Sequence, residues 1–310
     1  MKQQDIWSNC LNNLKKKHEA ISELIANRTV AYIDIPNHFN VGDLLIYKGT
    51  EQFFKNHSIN VIYRAGTSAV NLQKVGEADV ILLHGGGNFG DLYPQHQNLR
   101  EEIAKKFKNK CIISLPQTIQ FNSEEALAKS ASLFIEHPDF HMCVRDHRSL
   151  DISKRFTNNI MLLPDMAHSL HPLVDPTEVG PSNLFPPKIL NLLRVDIEST
   201  NANQGLNKVS FDWQDIMIKQ DYWTLKLYYQ MIKFSFLREK ATNLWSGLSD
   251  EIIFKSINYF SAHTVIHTDR LHGCILATLL GKEIYVKDNS YGKNSNYQKA
   301  WLSEYPYFID

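Results

Sequence analysis

Ala78-Asp79-Val80-Ile81-Leu82-Leu83 followed by His84-Gly85-Gly86-Gly87-Asn88-Phe89-Gly90-Asp91 is the stretch on which the fold turns. Six residues ending in an apolar run have the length of a buried strand. Three consecutive glycines directly after it permit positive φ values and let a ligand or a second backbone approach closely. Asp91 is then placed to start a helix, and Leu99, Ile103 and Phe107 follow at helical spacing. The run is not a dinucleotide fingerprint, because no acidic residue ends a strand about twenty residues on. It also lacks the Gly-Lys-Ser/Thr of a P-loop.

The same strand-turn-helix unit recurs on both sides. Thr29 to Ile35 reads as a strand entering Pro36-Asn37-His38-Phe39-Asn40-Val41-Gly42-Asp43, with a helix over 43–55. Further strands are expected at 59–64, 110–114, 141–145 and 160–163, and further helices at 93–107, 123–135 and 146–156. Such alternation predicts a parallel sheet covered by helices, the α/β class. Six of the eleven prolines then fall between Pro164 and Pro187. That clustering predicts a linker at 176–187 between an N-terminal domain, 1–175, and a C-terminal domain, 188–310. In the second domain strands are expected at 188–195, 263–267 and 283–287. Helices are expected at 213–218, 221–245, 249–260 and 271–280, and a terminal helix near 295–303 is free to pack back on the first domain.

Composition excludes several classes. With 33 basic and 33 acidic residues the formal net charge is zero, so there is no general field for nucleic acid. Cys10, Cys111, Cys143 and Cys274 are scattered with no C-x-x-C pair, which fits reduced thiols in a cytoplasmic protein. No stretch approaches 18 apolar residues. Met1 to Ile25 is polar with helical periodicity and has no signal core; its apolar face is expected on the protein's own domain, with peripheral membrane association left open.

Thr268-Asp269-Arg270-Leu271-His272-Gly273 joins the strand at 263–267 to a helix, again at the carboxyl end of a strand, where open parallel sheets bind ligands. The first helical turn offers unpaired N–H groups and a positive dipole end. Arg270 can grip a phosphate or carboxylate with two parallel hydrogen bonds, and His272 can carry a proton near neutral pH. A salt-bridged helix cap, with Asp269 as N-cap, is the plainer account of the same residues. Other polar groups expected at the same sheet edge are Gln117 after one strand, Arg145 after the next, and Asp165 after a third. Arg194 follows the first strand of the second domain.

In this order, Asn-x-Gly-Asp (40–43), His-Gly-Gly-Gly-Asn-Phe-Gly-Asp (84–91), Leu-Pro-Gln-Thr (115–118), Arg145-Asp146 with Ser149, and Pro-Asp-Met-Ala (164–167) resemble the polysaccharide pyruvyl transferase family. So do Leu-Arg-x-Asp (193–196), Thr-Asp-Arg-Leu-His-Gly (268–273) and Asp-Asn-Ser-Tyr-Gly-Lys-Asn (288–294). The resemblance implies two Rossmann-like domains whose parallel sheets face a cleft in a GT-B-like arrangement. It also implies transfer of pyruvate from phosphoenolpyruvate to a sugar of a surface polysaccharide, usually as a ketal, with the acceptor carried on a lipid or a nucleotide.

The residues fit that chemistry on their own terms. Phosphoenolpyruvate has a phosphate and a carboxylate, for which Arg145 and Arg270 are the first pair of holds and Arg194 a third candidate. His272 is the expected acid; Asp91, Asp43 or Asp165 would take a hydroxyl proton, with Asp91 preferred. Asn40, Gly86, Gly87, Asn88, Gln117, Asp165, Asp269 and Leu271 are expected to line the substrate. No metal or cofactor is expected, only phosphoenolpyruvate as donor. A glycosyltransferase using a nucleotide-sugar would share the cleft and the basic phosphate hold, and it stands as the alternative.

Overall fold

A computed structural model of the chain describes residues 2–180, 186–193, 210–288 and 293–309. Seven strands form one parallel sheet: β1 (Val30–Ile35), β2 (Val61–Gly66), β3 (Val80–Leu83), β4 (Gly86–Gly90), β5 (Cys111–Gln120), β6 (Phe140–Val144) and β7 (Asn159–Leu162). The order is β2-β1-β3-β5-β6-β7, with β4 beside the second half of β5. A second parallel sheet holds β8 (Ile189–Leu192), β9 (Val265–Thr268) and β10 (Glu283–Val286) in the order β10-β9-β8. β1 and β3 are buried along their whole length, as expected of strands covered on both faces.

The glycine run departs from its expected role as a strand-to-helix turn. Gly86–Gly90 forms β4, which continues past β3 along β5, with Gly86 opposite Gln117 and Gly90 opposite Gln120. Gly90 has φ +145°, and a Cβ there would fall on the Gln120 carbonyl, so only glycine lets the two chains come this close. Phe89 anchors the strand against Phe134 and Phe156. The next helix, α5 (Pro94–Lys106), starts three residues after Asp91 with Tyr93 at its N-cap.

Helices α1 (Gln3–Lys17) and α2 (Glu19–Ile25) lead into β1, α3 (Val41–Asn56) follows it, and α4 (Leu72–Glu77), α6 (Glu124–Ile135) and α7 (His147–Ser153) lead into β3, β6 and β7. The apolar face of α1 packs on the protein itself: Trp7, Cys10, Leu11 and Leu14 are buried, and Trp7 Nε1 donates to the Thr278 carbonyl at 2.8 Å. The proline-rich stretch from 164 onward includes two short 3-10 helices among its described residues, at Met166–Leu170 and Pro176–Glu178. The first packs against α3, and residues 181–185 lie outside the described ones.

Past residue 210, the expected helix at 213–218 is a 3-10 turn at Trp213–Ile216. The expected helix at 221–245 is two: α8 (Lys219–Met231), then α9 (Arg238–Ser261), which also takes in 249–260. Arg238 Nε donates to the Ile232 carbonyl at 3.1 Å, satisfying an acceptor at the break that no proline or glycine announces. α10 (Leu271–Leu279) follows β9. A short α11 (Lys293–Tyr297) passes into a π-helical turn at Gln298–Leu302, where Trp301 Nε1 donates to the Arg145 carbonyl at 2.8 Å.

Two apolar clusters cover the faces of the large sheet. One holds Ala31, Ile33, Ile81 and Leu83 with Phe89 and Phe134. The other starts from Val30, Tyr32, Val80 and Leu82 and runs without a break through α3, α9 and α10 to Leu190, Ile266 and Ile284 of the small sheet. Both sheets therefore share one core. The four cysteines are free and buried.

Several histidines are enclosed in these cores. Burial pushes His18 and His84 down to about 4 and His168 to about 3. Their folded pKa values lie below the ordinary histidine value of about 6.5, so the unfolded chain binds protons first as pH falls. Stability is then expected to hold above about pH 6.5 and to decline toward pH 4, by up to about 1.4 kcal/mol per pH unit for each such histidine. Urea melts at pH 7 and pH 5 measure this; equal unfolding free energies at the two values would contradict it.

Candidate active site

Segments after β1, β4, β6 and β9 meet around a cavity of about 370 Å3, within the size range of small-molecule sites. Among the expected residues it is lined by Asn40, Asp43, Gly87, Asn88, Arg145, Arg270, Leu271 and His272. Asn40 caps α3, accepting the Gly42 amide at 3.1 Å, and its Nδ2 donates to Asp43 Oδ2 at 2.9 Å. The Asp43 carboxylate is thereby held at the cavity wall.

Arg145 stands on the carboxyl end of β6 and is almost fully buried. Its Nε donates to Thr118 Oγ1 at 3.0 Å and its Nη1 to Asp165, while Nη2 lies against Gly87, 3.2 Å from where a methyl group would sit. Asp165 is itself buried; its Oδ1 accepts the Ala167 amide, and its Oδ2 lies 3.2 Å from His272 Nε2. Burial alone would raise the Asp165 pKa, but the charge and hydrogen bond of His272 and the charge of Arg145 hold its carboxyl well below the usual range. His272 Nε2 is also 3.4 Å from Arg145 Nη1. A protonated Nε2 donates to Asp165 and a bare one accepts from Arg145, so either state has a partner.

Arg270 precedes α10 and faces the same cavity, with Nη2 2.9 Å from Asp212 Oδ2 and its buried Nε without a partner among the described residues. Thr268 Oγ1 accepts the Arg270 amide at 3.0 Å and donates to the Leu192 carbonyl at 2.9 Å, tying this turn to β8. Asp269 is not the N-cap of α10, a position held by Arg270 with no side-chain cap. Asp269 is buried, and its carbonyl accepts Asn294 Nδ2 at 2.8 Å.

Other expected residues have different places. Asp91 does not line the cavity; both of its carboxylate oxygens accept the Asn122 amide, pinning the end of β4 to the segment after β5. Gln117 is buried and donates to the His84 carbonyl, and Gly86 sits behind the wall near Ile46 and Asp43. Arg194 lies outside the described residues.

Sequence reading missed one group. Asp34 is a fully buried residue of β1 with φ +68°. Arg100 Nε reaches its Oδ2 at 2.8 Å and His96 Nδ1 its Oδ1 at 2.6 Å. Burial opposes its ionisation, but Arg100 and His96 keep its carboxyl below the usual range. Arg100 in turn holds the carbonyl and side chain of Asn88 at 3.0 and 2.7 Å, fixing the cavity side of β4. His96 and His38 line the cavity themselves. Among the described residues the one grouping that could hold a metal is Cys111, Asp139 and His141, at the amino ends of β5 and β6 and so at the opposite sheet edge from the cleft. Burial pushes the Cys111 thiol there up to about 11.

Two guanidinium groups, a carboxylate-held imidazole and a helix start around one cavity at the carboxyl ends of parallel strands form the kind of pocket in which an α/β protein can hold anionic groups. More particularly, the chain belongs to the polysaccharide pyruvyl transferase family, whose model matches residues 40–291. It is 38% identical over 305 residues to the Bacillus subtilis protein EpsO, which carries a provisional pyruvyl transferase name, covering 95% of this chain and 92% of that one. It is 28% identical to pyruvyl transferase 1 of Schizosaccharomyces pombe, over 89% of this chain and 70% of that one. A solved structure of a functionally uncharacterised Klebsiella pneumoniae protein superposes with a TM-score of 0.60 at 26% identity, covering 96% and 99% of the two chains. The family supports a pyruvyl transferase role in polysaccharide biosynthesis.

Gly42 leaves room for the histidine: a Cβ there would overlap His272 Nδ1, Cγ and Cβ. Gly42→Ala is therefore expected to turn His272 away from Asp165 while leaving the helix formed. Circular dichroism should stay at its native value while turnover falls at least tenfold; a fully active alanine variant would refute the contact.

Proposed function

We propose that the protein moves pyruvate from phosphoenolpyruvate to two hydroxyl groups of a sugar, forming a ketal and releasing phosphate. The observation that carries this reading is the placement of Arg145, Arg270 and His272 around one cavity. Phosphoenolpyruvate has two anionic groups on a three-carbon frame, and a pair of arginines from separate strand ends matches them.

Arg145 Nη2 would hold the carboxylate. Arg270, freed from Asp212, would hold the phosphate together with the unpaired N–H groups of the first turn of α10. His272 gives a proton to the methylene carbon, which becomes the methyl group and leaves C2 electron-poor. A sugar hydroxyl bonds to C2, the C2–O bond to phosphate breaks, and a second hydroxyl closes the ring. One hydroxyl proton restores His272 and the other leaves with phosphate. Asp43 is the expected carboxylate that lines the cavity and can take the first of them; His96, oriented by Asp34, is a second group placed to do so.

The three-stranded sheet is read as a reduced second Rossmann-like half in a GT-B-like pair, with the division at 176–187. The acceptor is read as lipid- or nucleotide-borne, on the cytoplasmic side where phosphoenolpyruvate is made, with no metal or cofactor required. The family match favours this reading over a nucleotide-sugar glycosyltransferase. Heat-stabilisation by phosphoenolpyruvate but not by nucleotide-sugars is expected, and the reverse would select the glycosyltransferase.

Arg270→Ala is expected to lose roughly 1.5 to 3 kcal/mol of phosphoenolpyruvate binding, with Arg270→Lys recovering only part because the planar fork is gone. Calorimetric titration reads this, and unchanged affinity in the alanine variant would remove Arg270 from the site. His272→Gln keeps a hydrogen-bond donor but cannot transfer a proton. Its turnover should fall ~10²–10⁴-fold at saturating substrate while phosphoenolpyruvate affinity changes little; a loss confined to affinity would reduce His272 to a binding group.

A further inference from the structure

The outward face of α8 and the break that follows it do not look like the rest of the surface. Between residues 218 and 238 seven large apolar side chains stand exposed, among them Trp223 at 69% and Phe236 at 76%. The same segment carries Lys219, Lys226, Lys233 and Arg238 but a single carboxylate, Asp221. Asp221 is buried on the inner side of the helix, with Lys255 Nζ 2.8 Å from both of its oxygens. In a chain of zero formal charge this is a local separation of charge: an outer face with cations and aromatics and no acid.

We propose that this face docks on an anionic lipid bilayer. Lys219 and Lys226 are seven apart, so they lie along the outermost line of the helix, flanked by Trp223 and Leu227 on one side and Tyr222 and Tyr229 on the other, and exposed Lys233 follows in the break after it. A protein partner disfavours lysines at the centre of its footprint. At a bilayer their stems lie along the apolar boundary while the ammonium groups reach the headgroups. Tryptophan and tyrosine suit the same boundary, since each has an apolar body and a polar tip. Lys226 Nζ already stands 5.3 Å from the Trp223 ring centroid, so the cation and the ring present one surface.

The face also leads to the cleft. A second cavity, of about 540 Å3, opens between α8 and the loops after β1 and β2 and is lined by Tyr229, Lys233 and Arg238. It shares His38 and His96 with the active site. If the proposed function holds, an acceptor sugar on a bilayer-borne lipid would enter from this side. The docking itself does not depend on that reading.

Flotation of the full chain with vesicles tests it. Vesicles of phosphatidylcholine with phosphatidylglycerol should carry the protein up, pure phosphatidylcholine vesicles much less, and added salt should weaken the difference. Lys219→Gln with Lys226→Gln should lower the partition coefficient about thirty-fold, from ~1 kcal/mol for each cation at an anionic surface. Trp223→Ser should lower binding further, and neither variant should change the thermal midpoint. No flotation, or equal flotation on neutral and anionic vesicles, would overturn the proposal. So would a dimer in sedimentation equilibrium that Trp223→Ser dissociates, since the face would then belong to a second copy. Activity on a water-soluble acceptor tests the pyruvyl transfer alone: its absence counts against that function and leaves the vesicle result standing.

Discussion

The buried carboxylate of Asp165 is the constraint on which the site depends. It follows β7 in the large sheet and touches Arg145 after β6 and His272 at the start of α10, so one anion joins residues brought in by both sheets. A lone charge in such a place would be very costly, and here it is compensated by the Arg145 guanidinium, the His272 imidazole and the Ala167 amide. The arrangement is reciprocal. Without Asp165, Arg145 and His272 would face each other 3.4 Å apart with nothing to offset a shared positive charge. Asp165 thus permits a guanidinium and an ionisable imidazole to sit side by side at the cavity wall.

Helix α3 supplies the other half of the constraint. Its Gly42 allows the His272 ring to approach, while its Gly49 lies against the backbone of Met166 and Ala167. The helix is enclosed between the large sheet on one side and α9 and α10 on the other. With a continuous core on both sides of it, the helix holds the cleft wall at Gly42 in place by packing.

Much of this was legible in the sequence because the signals are local. Apolar runs such as Val80–Leu83 can only be buried strands in this context, and eight motifs at strand ends named Asn40, Asp43, Arg145, Arg270 and His272. What escaped notice depends on contacts between distant segments. Asp34 sits in Tyr-Ile-Asp-Ile, where alternation makes an acid look like a solvent-facing strand residue; its partners Arg100 and His96 are more than sixty residues away. The glycine run reads as a turn because nothing in it says that β5 extends six residues past β3 to pair with it. Asp91, favoured for its place beside a presumptive helix start, is instead consumed by the Asn122 amide.

The Trp301 bond to the Arg145 carbonyl has a consequence for the order in which the molecule comes into being. Tyr297 Oη accepts the Asp165 amide, and Lys17 of the first helix lies over the Trp301 ring. The large sheet is made of residues that leave the ribosome first, yet the backbone of Arg145 and of Asp165 is fastened by Trp301 and Tyr297, which leave it much later. A nascent chain stalled before residue 297 can hold its strands and still lack the cleft. Partial products of translation would therefore be folded in part but would lack the assembled cleft, which is complete only on chains synthesised past that point.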